Sequence, residues 1–279
     1  MFDKVETLGQ SLIQHGNQNN RIYLMKLAES DFPQILNKLD DIAREKKYTK
    51  IFAKIPEWAR KTFIRQGYQE RASIPKFYGD EADVYFVSKF LDSDRANIEQ
   101  NEKNQIKNII HLAISKQNQP VTIAHDHGYK LRILDKNDAG HLINLYDIVF
   151  ESYPFPIHNS EYIIKTMDES IVYFGAFDGE KLVAASSAEM DLISGNVEMT
   201  DFATLPEYRG KSLSLLLLRE MEAEMVKRKI RTFYTIARAV SPGMNITFSR
   251  MGYQFAGTLI NNTDISGSIE SMNVWYKIF

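Results

Sequence analysis

The segment Asp201-Phe202-Ala203-Thr204-Leu205-Pro206-Glu207-Tyr208-Arg209-Gly210-Lys211-Ser212-Leu213-Ser214 decides the fold class. It predicts a strand that ends at Thr204, a short turn at 209–212, and a helix that starts at once and carries apolar residues at steps of four from Leu213 to Met225. The N-terminus of such a helix presents N–H groups without intrahelical partners, together with the positive end of its dipole. The segment therefore predicts an anion site of the kind that binds a phosphate.

Two common phosphate-binding loops are excluded. Gly210-Lys211-Ser212 looks like the end of a P-loop, but the pattern G-x-x-x-x-G-K-[ST] needs its first glycine where this chain has Leu205. No two glycines are spaced as G-x-G, so the dinucleotide fingerprint is absent. The serine-hydrolase pattern G-x-S-x-G is absent as well. The anion site must belong to another kind of loop.

Outward from this segment, the hydrophobic period alternates between that of a strand and that of a helix. It predicts the order β-α-α-β-β-β-α-β-α-β-β from residue 129 to the C-terminus. Strands are expected at 129–134, 171–177, 182–190, 197–204 and 231–238. Helices are expected from Asp138, from Asn159 or Ser160, and over 213–229 and 244–251, and the last two strands are expected to flank a polar loop at 261–268.

The N-terminal third contains a weaker copy of this ending. A helix is predicted over 35–46, a strand over 50–54 and a helix over 58–65, followed by extended stretches to residue 91. Gly67-Tyr68-Gln69 matches Gly252-Tyr253-Gln254, and a phenylalanine precedes each glycine by four residues. We expect an internal repeat of half a domain, with one domain at 1–127, ending in a polar helical linker within 92–119, and a second at 128–279.

Composition excludes several classes of function. The 279 residues carry 34 basic and 36 acidic side chains, a formal charge of -2, so no basic field exists to attract nucleic acid. The absence of cysteine excludes disulfides, thiolate metal sites and a cysteine nucleophile. His125-Asp126-His127 is interpreted as a polar hinge, and no metal is expected. Without a signal sequence or a long apolar stretch, a cytoplasmic protein with no membrane partner is predicted.

The 206–211 turn and its helix resemble the acetyl-CoA loop of the GNAT superfamily of N-acetyltransferases, with the pattern [Gln/Arg]-x-x-Gly-x-[Gly/Ala]. Residues 128–279 resemble that whole fold. Met199–Pro206, Thr235–Ala239 and Asn262–Tyr276 are similar to the β-lysine N-acetyltransferases, which acetylate the ε-amine of (3S)-3,6-diaminohexanoate to make a compatible solute. The resemblance implies an α/β (α+β) protein with a catalytic GNAT domain, a divergent GNAT-like half-repeat before it, and acetyl-CoA as co-substrate.

The resemblance also implies the residues that bind acetyl-CoA: Thr204, Leu205, Arg209, Gly210, Lys211, Ser212, Leu213, Ser214 and Ser241. Ser212 and Ser214 stand where the pattern has small flexible residues, and Ser241 stands where an asparagine is usual. Phe248 replaces a tyrosine that protonates the departing thiolate in many members. Tyr234, Tyr253 or a water molecule are the candidates for this acid.

Acetyl transfer to an amine needs a base, because an alkylammonium has a pKa of about 10.4. Glu198, on the strand eleven residues before Arg209, matches the place where some members carry a general-base carboxylate. Strand alternation directs Asp201 to the opposite face. Glu198 is the favoured base, directly or through water, and Asp201 is an alternative base or an ammonium anchor. The strand ending at Thr204 is expected to splay from its neighbour and expose backbone groups.

A diamino acid needs carboxylates for its ammonium groups and donors for its carboxylate. The candidates are Glu151, Tyr153, Arg238, Asn261, Asn262 and Glu270. The N-terminal domain lacks a counterpart of Arg209-Gly210, so we expect it to bind no acetyl-CoA and to cap the substrate cleft or form a homodimer face. Two other functions stay open: acetylation of another small polyamine or amino acid, and a non-catalytic acetyl-CoA sensor.

Overall fold

The computed structural model describes residues 3–79, 82–117, 119 and 128–279. Within these residues thirteen strands form one sheet. In the first part of the chain the strands are β1 (Lys4–Leu8), β2 (Ser11–Gly16), β3 (Arg21–Lys26), β4 (Lys50–Pro56), β5 (Gln69–Tyr78) and β6 (Ala82–Phe90). The later strands are β7 (Lys130–Ile133), β8 (Ile171–Asp178), β9 (Lys181–Asp191), β10 (Asn196–Thr204), β11 (Thr232–Arg238), β12 (Gln254–Ile265) and β13 (Ser268–Ile278).

Eight α-helices in the described residues connect and cover these strands. They are α1 (Ile35–Lys46), α2 (Glu57–Arg65), α3 (Ser93–Ala96), α4 (Gln100–Ser115), α5 (Ala139–Val149), α6 (Ser160–Glu169), α7 (Leu213–Lys227) and α8 (Pro242–Arg250). The leucine-rich helix α7 buries its apolar side chains against the sheet, as its spacing predicts. Helix α4 from the polar linker packs on α8, where the Ser249 hydroxyl donates to the Ala113 carbonyl at 2.7 Å.

The order of strands across the sheet is nearly the same in both halves of the chain. It runs β1-β2-β3-β4-β6-β5 and then, from the junction outward, β12-β13-β11-β10-β9-β8-β7. In each half one parallel pair, β3 with β4 or β10 with β11, lies within an otherwise antiparallel arrangement. The first 90 residues thus contain a helix-strand-helix-strand-strand unit that matches α7 to β13 in order. The boundary predicted near residue 128 adjoins 120–127, which lie outside the described residues.

The halves meet edge to edge at β5 and β12, where Gly257 is the register partner of Ala72. Gly257 has φ +151°, and a Cβ there would overlap the Arg71 carbonyl oxygen, so the close approach needs glycine. The larger hydrophobic core draws on both halves, for example Phe77 and Phe86 with Phe233. A smaller core contains only residues from 13–87.

Most of the predicted elements are confirmed, some to the residue, as with Ile35–Lys46. Asn159 caps α6 by accepting from the Tyr162 N–H. The polar loop predicted at 261–268 is wrong: β12 continues through Asn261 to Ile265, and only Ser266 and Gly267 turn into β13. This stretch stays in the sheet because a bulge between Leu259 and Thr263 absorbs the polar residues. Strands β1 to β3 had no counterpart in the sequence-based prediction.

Strand β10 has two irregularities that shape the centre of the molecule. Its register with β9 shifts between Thr200 and Ala203, and Asp201 at this bulge has φ +54°. Its parallel ladder with β11 ends at the pair of Glu198 and Tyr234, although both strands continue. The splay expected for this strand is confirmed, and it leaves a gap in the sheet between β10 and β11.

Candidate active site

An inner cavity lies at this gap, and its lining includes Glu189, Glu198 and Asp201 together with Arg21, Tyr23 and Lys54. The carboxylates come from β9 and β10 and are called the acidic wall here. The other three residues come from β3 and β4 and are called the basic wall, so both halves of the chain build one cavity.

Glu198 lies at the centre of the acidic wall. It is the register partner of Glu189 on β9 and of Tyr234 on β11, so the three side chains share one face of the sheet. The Tyr234 hydroxyl and the Glu198 carboxylate interact electrostatically across the ladder. Burial, followed by the negative charge of Glu189, raises the pKa of Glu198 to about 7. A carboxylate with this pKa is suited to accept a proton near neutral pH.

Asp201 lies on the same face, and the expected opposite face is wrong. The bulge at Thr200–Ala203 breaks the two-residue alternation and directs the Asp201 side chain into the inner cavity. Its carboxylate accepts hydrogen bonds from the Tyr153 hydroxyl and from Ser187 Oγ at 2.5 Å. Burial raises the pKa of Asp201, and these hydrogen bonds act against that rise. Asp201 is thus held firmly, with fewer lone pairs free than Glu198.

The N-terminal half brings a cation to the acidic wall. Lys54 Nζ donates to the Tyr234 hydroxyl at 3.5 Å and lies 5.7 Å from the centroid of the Phe77 ring. Its charge lowers the pKa of both Glu198 and Glu189, which opposes the effect of burial. Two side chains of the same half also hold the loop after α5: Gln14 donates to the Pro154 carbonyl and Gln18 to that of Tyr153, each at 2.9 Å.

An outer cleft opens on the other side of the gap, between the end of β10, the N-terminus of α7 and α8. Its lining includes Phe202, Thr204, Arg209, Gly210, Ser212, Leu213, Ser214, Arg238, Ser241 and Thr247. Gly210 has φ +80°, and Ser212, the N-cap of α7, has φ +60°. These left-handed residues turn the chain so that the first N–H groups of α7 face the cleft.

Seven of the nine residues predicted to bind acetyl-CoA line the outer cleft. The other two are Leu205 and Lys211. Leu205 is buried, and its N–H donates to the Val183 carbonyl at 3.0 Å, so this N–H is already used. Lys211 lies over the Tyr208 ring, 4.5 Å from its centroid. The cleft fits a pyrophosphate through the helix N-terminus, the Arg209 guanidinium and open space at Gly210, where a Cβ would meet no atom within 4 Å.

The six predicted substrate residues are divided by the structure. Tyr153 and Asn262 line the inner cavity. Arg238 lines the outer cleft and is paired with Glu270, its Nε lying 2.8 Å from Glu270 Oε2. Asn261 holds the chain near α3, with Nδ2 donating to the Arg95 carbonyl at 3.0 Å. Glu151 is exposed, near Gly267 in the last turn. The structure thus brings two of the six to Glu198.

The three aromatic positions considered for a general acid also differ in place. Phe248 is buried between the rings of Phe202 and Tyr253. Tyr253 itself is buried behind Phe248 and is absent from the lining of both the cavity and the cleft. Tyr234 lines the inner cavity, and burial with the charge of Glu198 raises its pKa, so it stays protonated. Of the two tyrosines proposed for the acid, Tyr234 is therefore the one whose hydroxyl lies at the gap.

Sequence reasoning missed the residues that face Glu198 from elsewhere in the chain. Glu189 and Ser187 lie on the predicted strand 182–190, but its register with β10, which places Glu189 opposite Glu198, is not visible in the sequence. Arg21 and Tyr23 lie on β3, which the prediction omitted. A signal was present, since 17–20 is a polar Asn/Gln run between two apolar runs, which is typical of a hairpin.

The part of the chain that the structure describes contains no group of three or more His, Cys, Asp or Glu side chains arranged to hold a metal ion. His125-Asp126-His127, the run interpreted as a hinge, lies outside the described residues. Among the described helices, none combines the length and apolar character that a bilayer crossing requires.

A family model and three relatives of known sequence match this chain, and all of them are named as acetyltransferases. The sequence model of the Acetyltransferase (GNAT) family matches residues 142–253. The chain is 41% identical over 277 residues to a beta-lysine N(6)-acetyltransferase of Methanococcus maripaludis, covering 99% of each chain. It is 32% identical to the enzyme of that name from Methanosarcina mazei, covering 88% of this chain and 97% of the other. It is 30% identical to the N-acetyltransferase YodP of Bacillus subtilis over 99% of both.

Proposed function

This chain belongs to the acetyltransferase (GNAT) family, and on that premise we propose that it transfers the acetyl group of acetyl-CoA to the ε-amine of β-lysine, (3S)-3,6-diaminohexanoate. One observation carries the proposal. At the gap between β10 and β11, Glu198 and Asp201 line a buried cavity that also contains the Glu189 carboxylate, and Phe202 and Thr204, next along β10, line the anion-binding cleft at the start of α7. A substrate with two ammonium groups fits a cavity of that charge.

The outer cleft would hold the co-substrate. Arg209 and the N-terminus of α7 are suited to the pyrophosphate, and the Ser214 hydroxyl adds a donor. Acetyl-CoA supplies an acetyl group activated as a thioester. Beyond Glu198 the edge of β10 that faces β11 is free of ladder partners, so its backbone N–H groups are available to polarise a carbonyl oxygen in the gap.

Glu198 acts as the base in this proposal. Its raised pKa means that the carboxylate exists above about pH 7, where it can take a proton from the ε-ammonium as the amine attacks. Tyr234, whose hydroxyl stays protonated beside Glu198, is the candidate for returning a proton to the leaving thiolate. Asp201 accepts one hydrogen bond from Tyr153 and one from Ser187, which lower its basicity but leave acceptor sites, so it is better suited to hold an ammonium group than to remove its proton.

The reaction changes the charge of the small molecule in a simple way. β-Lysine carries two ammonium groups and one carboxylate, a net charge of +1, at neutral pH. Acetylation converts the ε-ammonium into a neutral amide and leaves a zwitterion without net charge. A neutral zwitterion can accumulate without a counterion, which suits a compatible solute.

We infer that the two halves of the chain divide the work. The half before residue 128 supplies Tyr23 and Lys54 to the inner cavity and holds its covering loop, whereas the coenzyme cleft is lined by residues after 148. This supports the capping role for the N-terminal half. The homodimer and the cytoplasmic location stay predictions, the first of which light scattering of the purified protein would test.

The test is thiol release from acetyl-CoA by purified protein with β-lysine, with α-lysine, spermidine and no amine as controls. We expect release that prefers β-lysine, and NMR of the product should show acetylation at N6. Glu198→Gln should lower kcat by at least about 100-fold, because it keeps the shape of the side chain and removes the base. Glu180→Gln, in the exposed turn between β8 and β9, is the matched control and should keep full activity. Binding of acetyl-CoA without turnover of any amine would instead support the sensor.

A further inference from the structure

Three buried cations, Arg21, Lys50 and Arg95, lie together behind the basic wall of the inner cavity. Arg21 and Lys50 are register partners in the parallel ladder of β3 and β4. Arg21 is 4% exposed, Lys50 is fully buried and Arg95 is 8% exposed. Within the described residues none of the three forms an ion pair, because each donates to neutral oxygens.

Those neutral partners satisfy hydrogen bonds without cancelling charge. Lys50 Nζ donates to the Ile260 carbonyl at 2.7 Å and to Asn262 Oδ1 at 2.8 Å. Arg95 donates to two backbone carbonyls and to a threonine hydroxyl. Burial lowers the pKa of Arg21 and of Arg95 to about 10 and places that of Lys50 well below its usual value. An excess of positive charge in the interior is costly unless an anion compensates it.

The carboxylates nearest to this cluster are occupied elsewhere. Asp3 accepts from Asn19 Nδ2 at 2.7 Å, Asp92 caps α3, and Asp264 accepts from Ser152 Oγ at 3.0 Å. They reduce the positive potential from a distance but do not touch the cations. No carboxylate of the described residues pairs with the cluster, which is therefore suited to an anion that enters from outside the chain.

Arg21 is the member of the cluster that lines the inner cavity. Its Nη1 donates to the Asn262 carbonyl and to Thr263 Oγ1 at 3.3 Å. Its Nε is buried without a hydrogen-bond partner, and no described residue accepts from Nη2. The edge formed by Nε and Nη2 is the one that pairs side by side with a carboxylate.

The cavity is thus electrically polarised. Burial raises the pKa of the Tyr23 hydroxyl, the charge of Glu198 raises it further, and the charge of Arg21 lowers it, so both charges reach this lining residue. Gln14, the register partner of Tyr23, lines the cavity and has a buried Oε1 without a hydrogen-bond partner. A carboxylate at Arg21 with a neighbouring ammonium near Gln14 is the arrangement of an amino acid head group, and the distal ammonium then points to Glu198.

We propose that Arg21, supported by Lys50 and Arg95, binds the carboxylate of the substrate, so that the N-terminal half selects an amino acid over a simple diamine. This inference rests on the proposed function, in which the amine reacts at Glu198. It assigns to β3 a specificity role, because a site built to pair a charged group rejects an analogue that lacks that group.

The experiment compares β-lysine with 1,4-diaminopentane, which is β-lysine with hydrogen in place of the carboxylate. The wild type should prefer β-lysine by about 100-fold in kcat/KM. Arg21→Gln should lower kcat/KM for β-lysine by a similar factor and leave that for the diamine within about 3-fold, while Arg21→Lys should restore part of the preference. Arg71→Gln is the matched control, because Arg71 is a half-buried arginine on β5 that also acts on Lys50 but does not line the cavity.

The possible results distinguish a failure of the carboxylate site from a failure of the proposed substrate. An equal loss for both substrates in Arg21→Gln, or a wild type without preference, would overturn the carboxylate site while leaving the acetyltransferase reaction intact. Turnover of diamines but not of β-lysine would overturn both the site and the proposed substrate. Circular dichroism melts of each variant identify any unfolding, and in that case the wild-type comparison of the two substrates, which needs no variant, decides the question.

Discussion

Glu198 stands directly opposite Glu189 across the antiparallel ladder of β9 and β10, with both carboxylates on the cavity face. Like charges in this position repel each other, and burial makes the repulsion stronger than at a protein surface. The fold tolerates the pair because Lys54 approaches from the other half of the chain. Burial, and after it the charge of Glu189, raises the pKa of Glu198 to about 7, while Lys54 limits the rise.

The pH dependence of kcat/KM should therefore rise through about pH 7 as Glu198 loses its proton. Glu189→Gln removes the neighbouring charge, so the pKa of Glu198 falls and the acid limb moves to lower pH. A pH profile of kcat/KM for β-lysine measures this shift. An acid limb at the same pH in both proteins would contradict the coupling of the two carboxylates.

The same carboxylate should reduce stability above neutral pH. The pKa of Glu198 is raised from 4.5 to about 7 in the folded protein, so stability present at low pH is lost as the pH rises through about 7. Glu198→Gln avoids that loss and should raise the free energy of unfolding at pH 8 by about 1–3 kcal/mol, and by only about a quarter of that amount at pH 5. Urea unfolding at both pH values measures the difference. An equal gain at pH 5 and pH 8 would mean that ionisation is not the cause.

The variant Asp201→Asn tests whether Asp201 anchors an ammonium group of the substrate or acts as the base. Asparagine tolerates the left-handed backbone of this bulge, and it keeps an oxygen for Tyr153 or Ser187, so the fold should persist. As an anchor, Asp201 contributes mainly to binding: KM for β-lysine should rise by about 10-fold, and kcat should change little. Collapse of kcat together with loss of the acid limb would identify Asp201 as the base. Steady-state kinetics as a function of pH make the distinction.

Ser212→Gly should stabilise the protein. Ser212 adopts φ +60° at the N-cap of α7 and makes no side-chain capping bond, so glycine relieves backbone strain of about 1 kcal/mol. The missing Cβ also widens the approach to the helix N-terminus, and the Kd of acetyl-CoA should stay equal or fall. Thermal melts and titration calorimetry measure both effects. A higher Kd would show that the Ser212 hydroxyl contributes to phosphate binding.

The sequence predicts the C-terminal half well because helices such as α7 and the hairpin of β8 and β9 depend on local periodicity and turn residues. The position of Asp201 could not be predicted in this way. One inserted residue reverses the face of every side chain that follows, and nothing in the local pattern indicates where a bulge occurs. The contribution of β3 is equally hidden, because Arg21 reaches the cavity only through pairing between distant parts of the chain.

The junction at Gly257 also covers two strand edges that would otherwise be exposed, those of β5 and β12. In separate halves, β5 and β12 would each be an edge strand with a row of unpaired backbone groups, which is a template for aggregation. Joined through the pair of Ala72 and Gly257, each strand protects the other. The cofactor-binding half should therefore be poorly soluble when expressed alone. The N-terminal half thus also shields a strand edge of the half that follows it.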